Sequence, residues 1–231
     1  MLFHQKNLFL KGADRMSDRI FTPAQKRPIR DYMTISRPAG LGPAVPVTWF
    51  SMGGGTSITP EAYDVPVLYL GGEGSCRFLL GAAGHRVPLH PGELLYVPAR
   101  TLCGTETDAG TVYTEIIAAK ELTMNNIIHS GEPTALKNLI SYEEGSIANL
   151  DLAHTDNMKF VLMAFDAGTG LTPHRAPGNA ILTALEGKAI IGYEGKDYEL
   201  NEGESFRFDK NGLHSVTAQG KFKMSLLLVL E

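Results

Sequence analysis

The amino-acid sequence predicts an all-β protein made of two similar domains, each a sandwich or barrel, and three observations carry that reading. Apolar runs of roughly four to eight residues, rich in Val, Leu, Tyr and Phe, alternate with Gly and Pro turn signals along most of the chain. The 25 Gly and 13 Pro among 231 residues suit many short strands and turns better than long helices. The two halves also align with each other. Gly55 placed on Gly168 sets GTSITPEAYDVPVLYLGGEG over GTGLTPHRAPGNAILTALEG without a gap, and Gly92 on Gly203 sets GELLYVPARTLC over GESFRFDKNGLH. The registers differ by two residues, which fall in the loop between the two blocks, where insertions are tolerated. A repeated unit of this length is a duplicated domain, not a solenoid repeat.

Taken in order, residues 1–30 are a mixed, polar arm carrying Lys6, Lys11, Arg15, Arg19, Lys26, Arg27 and Arg30, expected to be flexible or loosely docked. Residues 31–120 hold the first domain, with strands at YMTIS, VPVTWFSM, VPVLYL, SCRFLL, RVPLH, ELLYVP and TVYTEIIA. Residues 121–144 are the connector and contain the one good helix candidate, opened by Glu132, Pro133 and Thr134 and running through ALKNLI. Residues 145–231 hold the second domain, with strands at IANLDLA, KFVLMAF, NAILTAL, KAIIGY, DYEL, ESFRF, HSVTA and FKMSLLLVL. The continuous LLLVL run predicts a strand buried between the two units or at a dimer contact.

Bulk chemistry narrows the function. Lys and Arg number 21 against 25 Asp and Glu, a net charge of −4, so no basic field is present to attract nucleic acid. Two cysteines, Cys76 and Cys103, are too few for a disulfide framework or a thiolate zinc site, and reduced buried thiols are expected. The first residues make a poor signal peptide, with a Lys inside their apolar run. No window approaches the ~18 consecutive apolar residues of a membrane span. The expectation is a cytoplasmic protein with no membrane partner.

Each half carries a motif pair that resembles those of the cupins. In the second half a glycine, Gly168, precedes His174 by six positions and Glu186-Gly187 closes the run; Gly203 precedes His214 by eleven. With Ala176-Pro177-Gly178 and Phe222-Lys223-Met224, this half is similar to the small Helicobacter-type bacterial cupins, and the first half is a degenerate copy. The resemblance implies a bicupin, two double-stranded β-helix (jelly-roll) barrels joined by a short helical connector, with the pocket inside a barrel mouth and barrels that commonly pair into homodimers. It also implies four ligand positions for a metal. They read His174, Ala176, Ala180 and His214 in the second half, and Glu61, Tyr63, Val67 and Cys103 in the first.

Three readings of the His174/His214 pair stay open: a ligand-binding pair, a general acid/base, and part of a site for Zn, Ni, Fe or Mn completed from elsewhere. No cofactor is expected on the first two. The first-half pocket would be lined by Glu61, Tyr63 and Cys103, with Cys103 either a buried small hydrophobe or a nucleophile that lacks a matching His. Arg77 has an unfixed facing, and Arg175, Asn179 and Arg207 are further polar candidates near the second pocket, with solvent exposure the plainer reading of each. The leading functional reading is a protein that binds a small molecule, as yet unidentified. Its rivals are a metal-dependent enzyme of isomerase or dioxygenase type and an interaction module; a DNA-binding regulator is disfavoured for want of a recognition helix.

Overall fold

The computed structural model of the protein describes residues 19–230. It opens with β1 (Ile20–Phe21) and a single helical turn, α1 (Pro23–Lys26). The first half then runs through β2 (Thr34–Pro38), β3 (Val47–Met52), β4 (Thr56–Glu61), β5 (Val67–Gly74), β6 (Cys76–Leu80), β7 (His85–Leu89), β8 (Glu93–Val97), β9 (Cys103–Thr107) and β10 (Thr111–Ile117). Two short strands, β11 (Thr123–Met124) and β12 (Thr134–Ala135), lie in the connector. The second half follows as β13 (Ile147–Thr155), β14 (Met158–Phe165), β15 (Gly170–Arg175), β16 (Gly178–Glu186), β17 (Lys188–Tyr193), β18 (Lys196–Asn201), β19 (Ser205–Phe208), β20 (Leu213–Ala218) and β21 (Phe222–Leu230).

Each half pairs a large sheet with a four-stranded one. The first has β12-β8-β5-β10-β3-β2 with β4-β9-β6-β7; the second has β1-β19-β16-β21-β14-β13-β11 with β15-β20-β17-β18. Apart from β11, which adds a seventh strand at the edge of the second large sheet, the two orders correspond strand for strand, so the duplication read in the sequence is a duplication of topology. It extends to register: Glu61 faces Cys103 as His174 faces His214, and Tyr69 faces Glu115 as Leu182 faces Leu226.

Side-chain alternation sorts the core into three clusters. Tyr69, Phe78, Leu95 and Tyr113 fill the interior of the first half, and Phe206, Phe208, Val216 and Phe222 that of the second. A third cluster lies between the two large sheets, with Trp49, Leu68, Leu94 and Ile116 meeting Phe160, Leu162, Leu227 and Val229. The central strands are therefore buried on both faces, and such strands read as unbroken apolar runs. That is the reason for LLLVL: Leu226 and Leu228 pack on the second interior while Leu227 and Val229 pack between the sheets. Two glycines set by the duplication are required sterically. Gly74 has φ 66° and a Cβ there would lie 2.2 Å from the Gly110 carbonyl oxygen; Gly187 has φ 74° and its Cβ would lie 2.1 Å from that of Lys221.

Two departures from the sequence reading concern the segments outside the repeat. Residues 1–18 of the predicted arm lie outside the described residues, but 19–30 are tied down. Ile20 and Phe21 pair with Phe206 and Ser205 at the edge of the second large sheet. Arg19 donates to Asp209 at 2.8 Å and its guanidinium stands 4.3 Å over the Tyr193 ring, while Phe21 packs edge-on against Trp49 at 5.3 Å. In the connector, the expected helix through ALKNLI is reduced to one 3₁₀ turn, Leu136–Asn138. Six residues are too few to repay helix nucleation, and the open edge of β8 takes the backbone of Thr134 and Ala135 instead. β1 on β19 and β12 on β8 occupy equivalent edges, each half covering its sheet with the segment that precedes the other.

Candidate functional site

The second-half mouth is built on β15 and β20, whose register sets His174 directly opposite His214. The register slips in β15 between Leu171 and His174, and in the equivalent β4 between Ile58 and Glu61. Pro173 and Pro60 sit within those slips, where no ladder N–H is demanded. Such irregularities re-aim the side chain that follows. The two imidazoles lie 4.2 Å apart between ring centroids at 54°.

Each ring is held by its own strand. His174 Nδ1 lies 2.8 Å from the Thr172 carbonyl oxygen, and His214 Nδ1 lies 3.0 Å from that of Gly212. A carbonyl only accepts, so Nδ1 carries the proton in both rings and the neutral imidazole presents a bare Nε2. His214 is 8% exposed and packs on Phe208 at 4.3 Å. Burial pulls its pKa down, the neighbouring His174 adds to the fall, and the hydrogen bond to Gly212 opposes it. His174 stands exposed at the rim. In their neutral forms the two rings offer an acceptor nitrogen each, one deep and one shallow.

The metal reading was tested against the residues present. Ala176 and Ala180 stand at the two other ligand positions, and among the described residues no group of three His, Cys, Asp or Glu side chains is placed to hold an ion. Two imidazoles without a carboxylate to offset the charge do not make a complete centre for Zn, Ni, Fe or Mn.

The first-half mouth holds more titratable groups. Glu61 is exposed, Tyr63 and Cys103 are half-buried, and beneath them lie two residues the sequence reading passed over, Tyr69 and Glu115, 4% and 7% exposed. Burial raises the Glu115 carboxyl and Glu61 raises it further, while hydrogen bonds from Tyr69 and Tyr63 pull the other way. Burial pushes the Cys103 thiol up to about 11 against a hydrogen bond with Tyr69, with Glu115 reinforcing the rise. At neutral pH Cys103 is a thiol, so its reading as a small hydrophobe fits better than a nucleophile. In the second half the matching positions are Ala176, Leu182 and Leu226, so the halves have divided their chemistry: imidazoles in one, carboxyl and phenols in the other. The signal for Glu115 was available, as the single charged residue inside TVYTEIIA.

The remaining polar candidates have structural tasks. Arg77 turns away from the interior to Glu106 and Asp108, at 2.9 and 2.7 Å. Arg207 donates to the Ala39 and Gly40 carbonyls, stapling the second half to a loop of the first. Asn179 bridges the Leu41 carbonyl and the Lys210 N–H. Arg175 lies at the rim beside His174, hydrogen-bonded to the Asn211 carbonyl.

The fold is of cupin-barrel type, and comparison with known proteins agrees. Residues 161–230 match the family model described as Cupin domain. The structure is similar to that of a Cupin 2 conserved barrel domain protein from Leptotrichia buccalis, with a TM-score of 0.80 and 23% identity over 92% of this chain and 96% of that one. It is also similar to a variant of salicylate 1,2-dioxygenase from Pseudoaminobacter salicylatoxidans, with a TM-score of 0.63 and 12% identity over 85% and 75% of the respective chains. At these identities the likeness is one of fold. No curated protein matches the chain. No helix among the described residues is long and apolar enough to cross a membrane.

Proposed function

We propose that this protein is a small-molecule-binding bicupin, with barrels over residues 31–120 and 145–231, whose ligand sits at the second mouth between His174 and His214. The observation that carries the reading is the tautomer lock: both Nδ1 atoms are spent on backbone carbonyls, leaving two Nε2 acceptors. Such a pair suits a ligand with hydroxyl donors on an apolar body, which the Phe208 ring beneath His214 would support. The protein is taken to act as a cytoplasmic homodimer with no nucleic-acid or membrane partner. The second reading is a metal-dependent enzyme of isomerase or dioxygenase type, favoured by the same bare nitrogens; it needs at least one ligand from outside this set.

Elemental analysis of freshly purified protein beside a His174→Ala, His214→Ala variant separates the two. The binding reading predicts metal far below one per chain in both, with thermal stabilisation by phenol or catechol that the variant loses, since a ligand bound by the folded state alone raises its stability. Metal near one per chain that vanishes in the variant would replace it with the enzyme reading.

A further inference from the structure

A cavity of about 340 Å³ opens away from both mouths, between the two large sheets at the end of their shared apolar core. Its lining is drawn from both halves at equivalent positions: Leu70 and Thr183, Thr114 and Ser225, Gly92 and Gly203. The arm closes one side with Thr22, Pro23 and Ala24, and the connector closes another with Leu136. The duplication has thus placed a hollow near its own pseudo-dyad.

The lining is chemically uneven. Most of the face between the sheets is apolar, yet here Thr114, Ser205 and Ser225 are 8%, 1% and 5% exposed. Thr183 and Ser205 share a hydrogen bond of 2.8 Å. Thr114 and Ser225 have no side-chain hydrogen-bond partner among the described residues, and both face the cavity. Their oxygens open onto the cavity and are not sealed in protein, since Arg27 Nε is the one wholly buried side-chain polar atom without a partner among the described residues, so both hydroxyls are available to whatever fills the cavity. The opposing walls are the apolar surfaces of Leu70, Leu136 and Leu185. Since a water occupies about 30 Å³ in the liquid, the void would hold on the order of ten, most of them against walls offering no hydrogen bond. The volume lies at the lower end of the roughly 300–1,000 Å³ of small-molecule sites.

We infer that this cavity is a second binding site, separate from the imidazole pair, for a small neutral polyol of monosaccharide size. Hydroxyls that both donate and accept match hydroxyls on the ligand, and the leucine walls match the C–H faces of a sugar ring. The rim selects against anions, since Glu73, Glu93 and Glu202 stand there against a single ammonium, Lys137.

The test uses the full chain and titrates D-glucose, D-mannose, L-rhamnose and myo-inositol separately, with D-glucuronate as the anionic counterpart, following backbone amide shifts by NMR. At least one neutral compound should bind one per chain and shift amides of β5, β10, β16 and β21, with D-glucuronate weaker. The isosteric Thr114→Val and the small Ser225→Ala should each weaken binding by about five- to tenfold, the worth of one hydrogen bond. The His174→Ala, His214→Ala variant should bind within about twofold of the parent, because the sites are distinct. Failure of every neutral compound to bind, wild-type affinity in both hydroxyl variants, or loss of binding in the double His variant would overturn the inference. The last result would assign the sugar to the second mouth instead.

Discussion

Replacing Glu115 with Gln should flatten the pH dependence of stability in a defined direction. Glu115 is 7% exposed, and its carboxyl is raised first by burial and then by Glu61. The unfolded carboxyl titrates near about pH 4.3. Above that pH the unfolded chain has released a proton that the folded chain still holds. Stability therefore falls as pH rises, through a window that opens near the unfolded value and closes at the raised folded one, and stays at the lower level beyond. One proton sets a limiting slope of about 1.4 kcal/mol per pH unit. Gln keeps the shape and the tyrosine contacts but does not titrate, and the other ionisable groups are common to both proteins and cancel in the difference. Urea unfolding from about pH 4 to 8 reads it directly: with an m-value of about 3 kcal/mol/M, the wild-type midpoint should lose up to roughly 0.5 M per pH unit relative to Glu115→Gln. Parallel midpoints across the range, or a wild type that gains on the variant as pH rises, would refute the buried-carboxyl account.

Three further outcomes follow from the same packing. In a Cys76→Ala background, iodoacetamide labelling of Cys103 should climb about tenfold per pH unit from about pH 8 to 10, because the thiol sits at about 11; a plateau below about pH 9 would contradict the burial argument. Phe21→Ala removes a side chain 3% exposed and packed on Trp49, and should cost about 3–5 kcal/mol in urea unfolding. A loss under about 1 kcal/mol would mean that the arm is not part of the core. Gly212→Ala would bring a Cβ to 2.5 Å from Tyr193 Oη and 2.6 Å from its Cε2, beside the carbonyl that anchors His214. It should cost about 1–3 kcal/mol and move the His214 ring resonances, and unchanged resonances would show the lock to be independent of this turn.

How far the sequence could be read depended on which faces of each strand are buried. Strands such as β16 and β21 announce themselves because both of their faces are covered, and the glycines at 74 and 187 mark turns no other residue fits. The pair His174 and His214 was legible because a duplication aligned against itself fixes register, and register fixes what meets. The strands that carry the site were harder to see. β4 and β15 are largely exposed and interrupted by Pro60 and Pro173, so period and composition both fail there. Glu115 was missed for the opposite reason: its strand reads as core, and nothing local tells that Tyr69 and Tyr63 converge on it from another strand and a loop. The connector was over-read as a helix because its alternative partner, the edge of β8, lies some forty positions earlier in the chain.

The two bare Nε2 atoms are what the functional reading rests on, and a long-range ¹H–¹⁵N correlation spectrum of the imidazoles observes them without any ligand. Recorded where each ring carries a single proton, with His174→Ala and His214→Ala variants for assignment, it should show that proton on Nδ1 in both rings, with Nε2 bare. A proton on Nε2 with Nδ1 bare, in either ring, would contradict the lock and remove the pair as a ligand-accepting site.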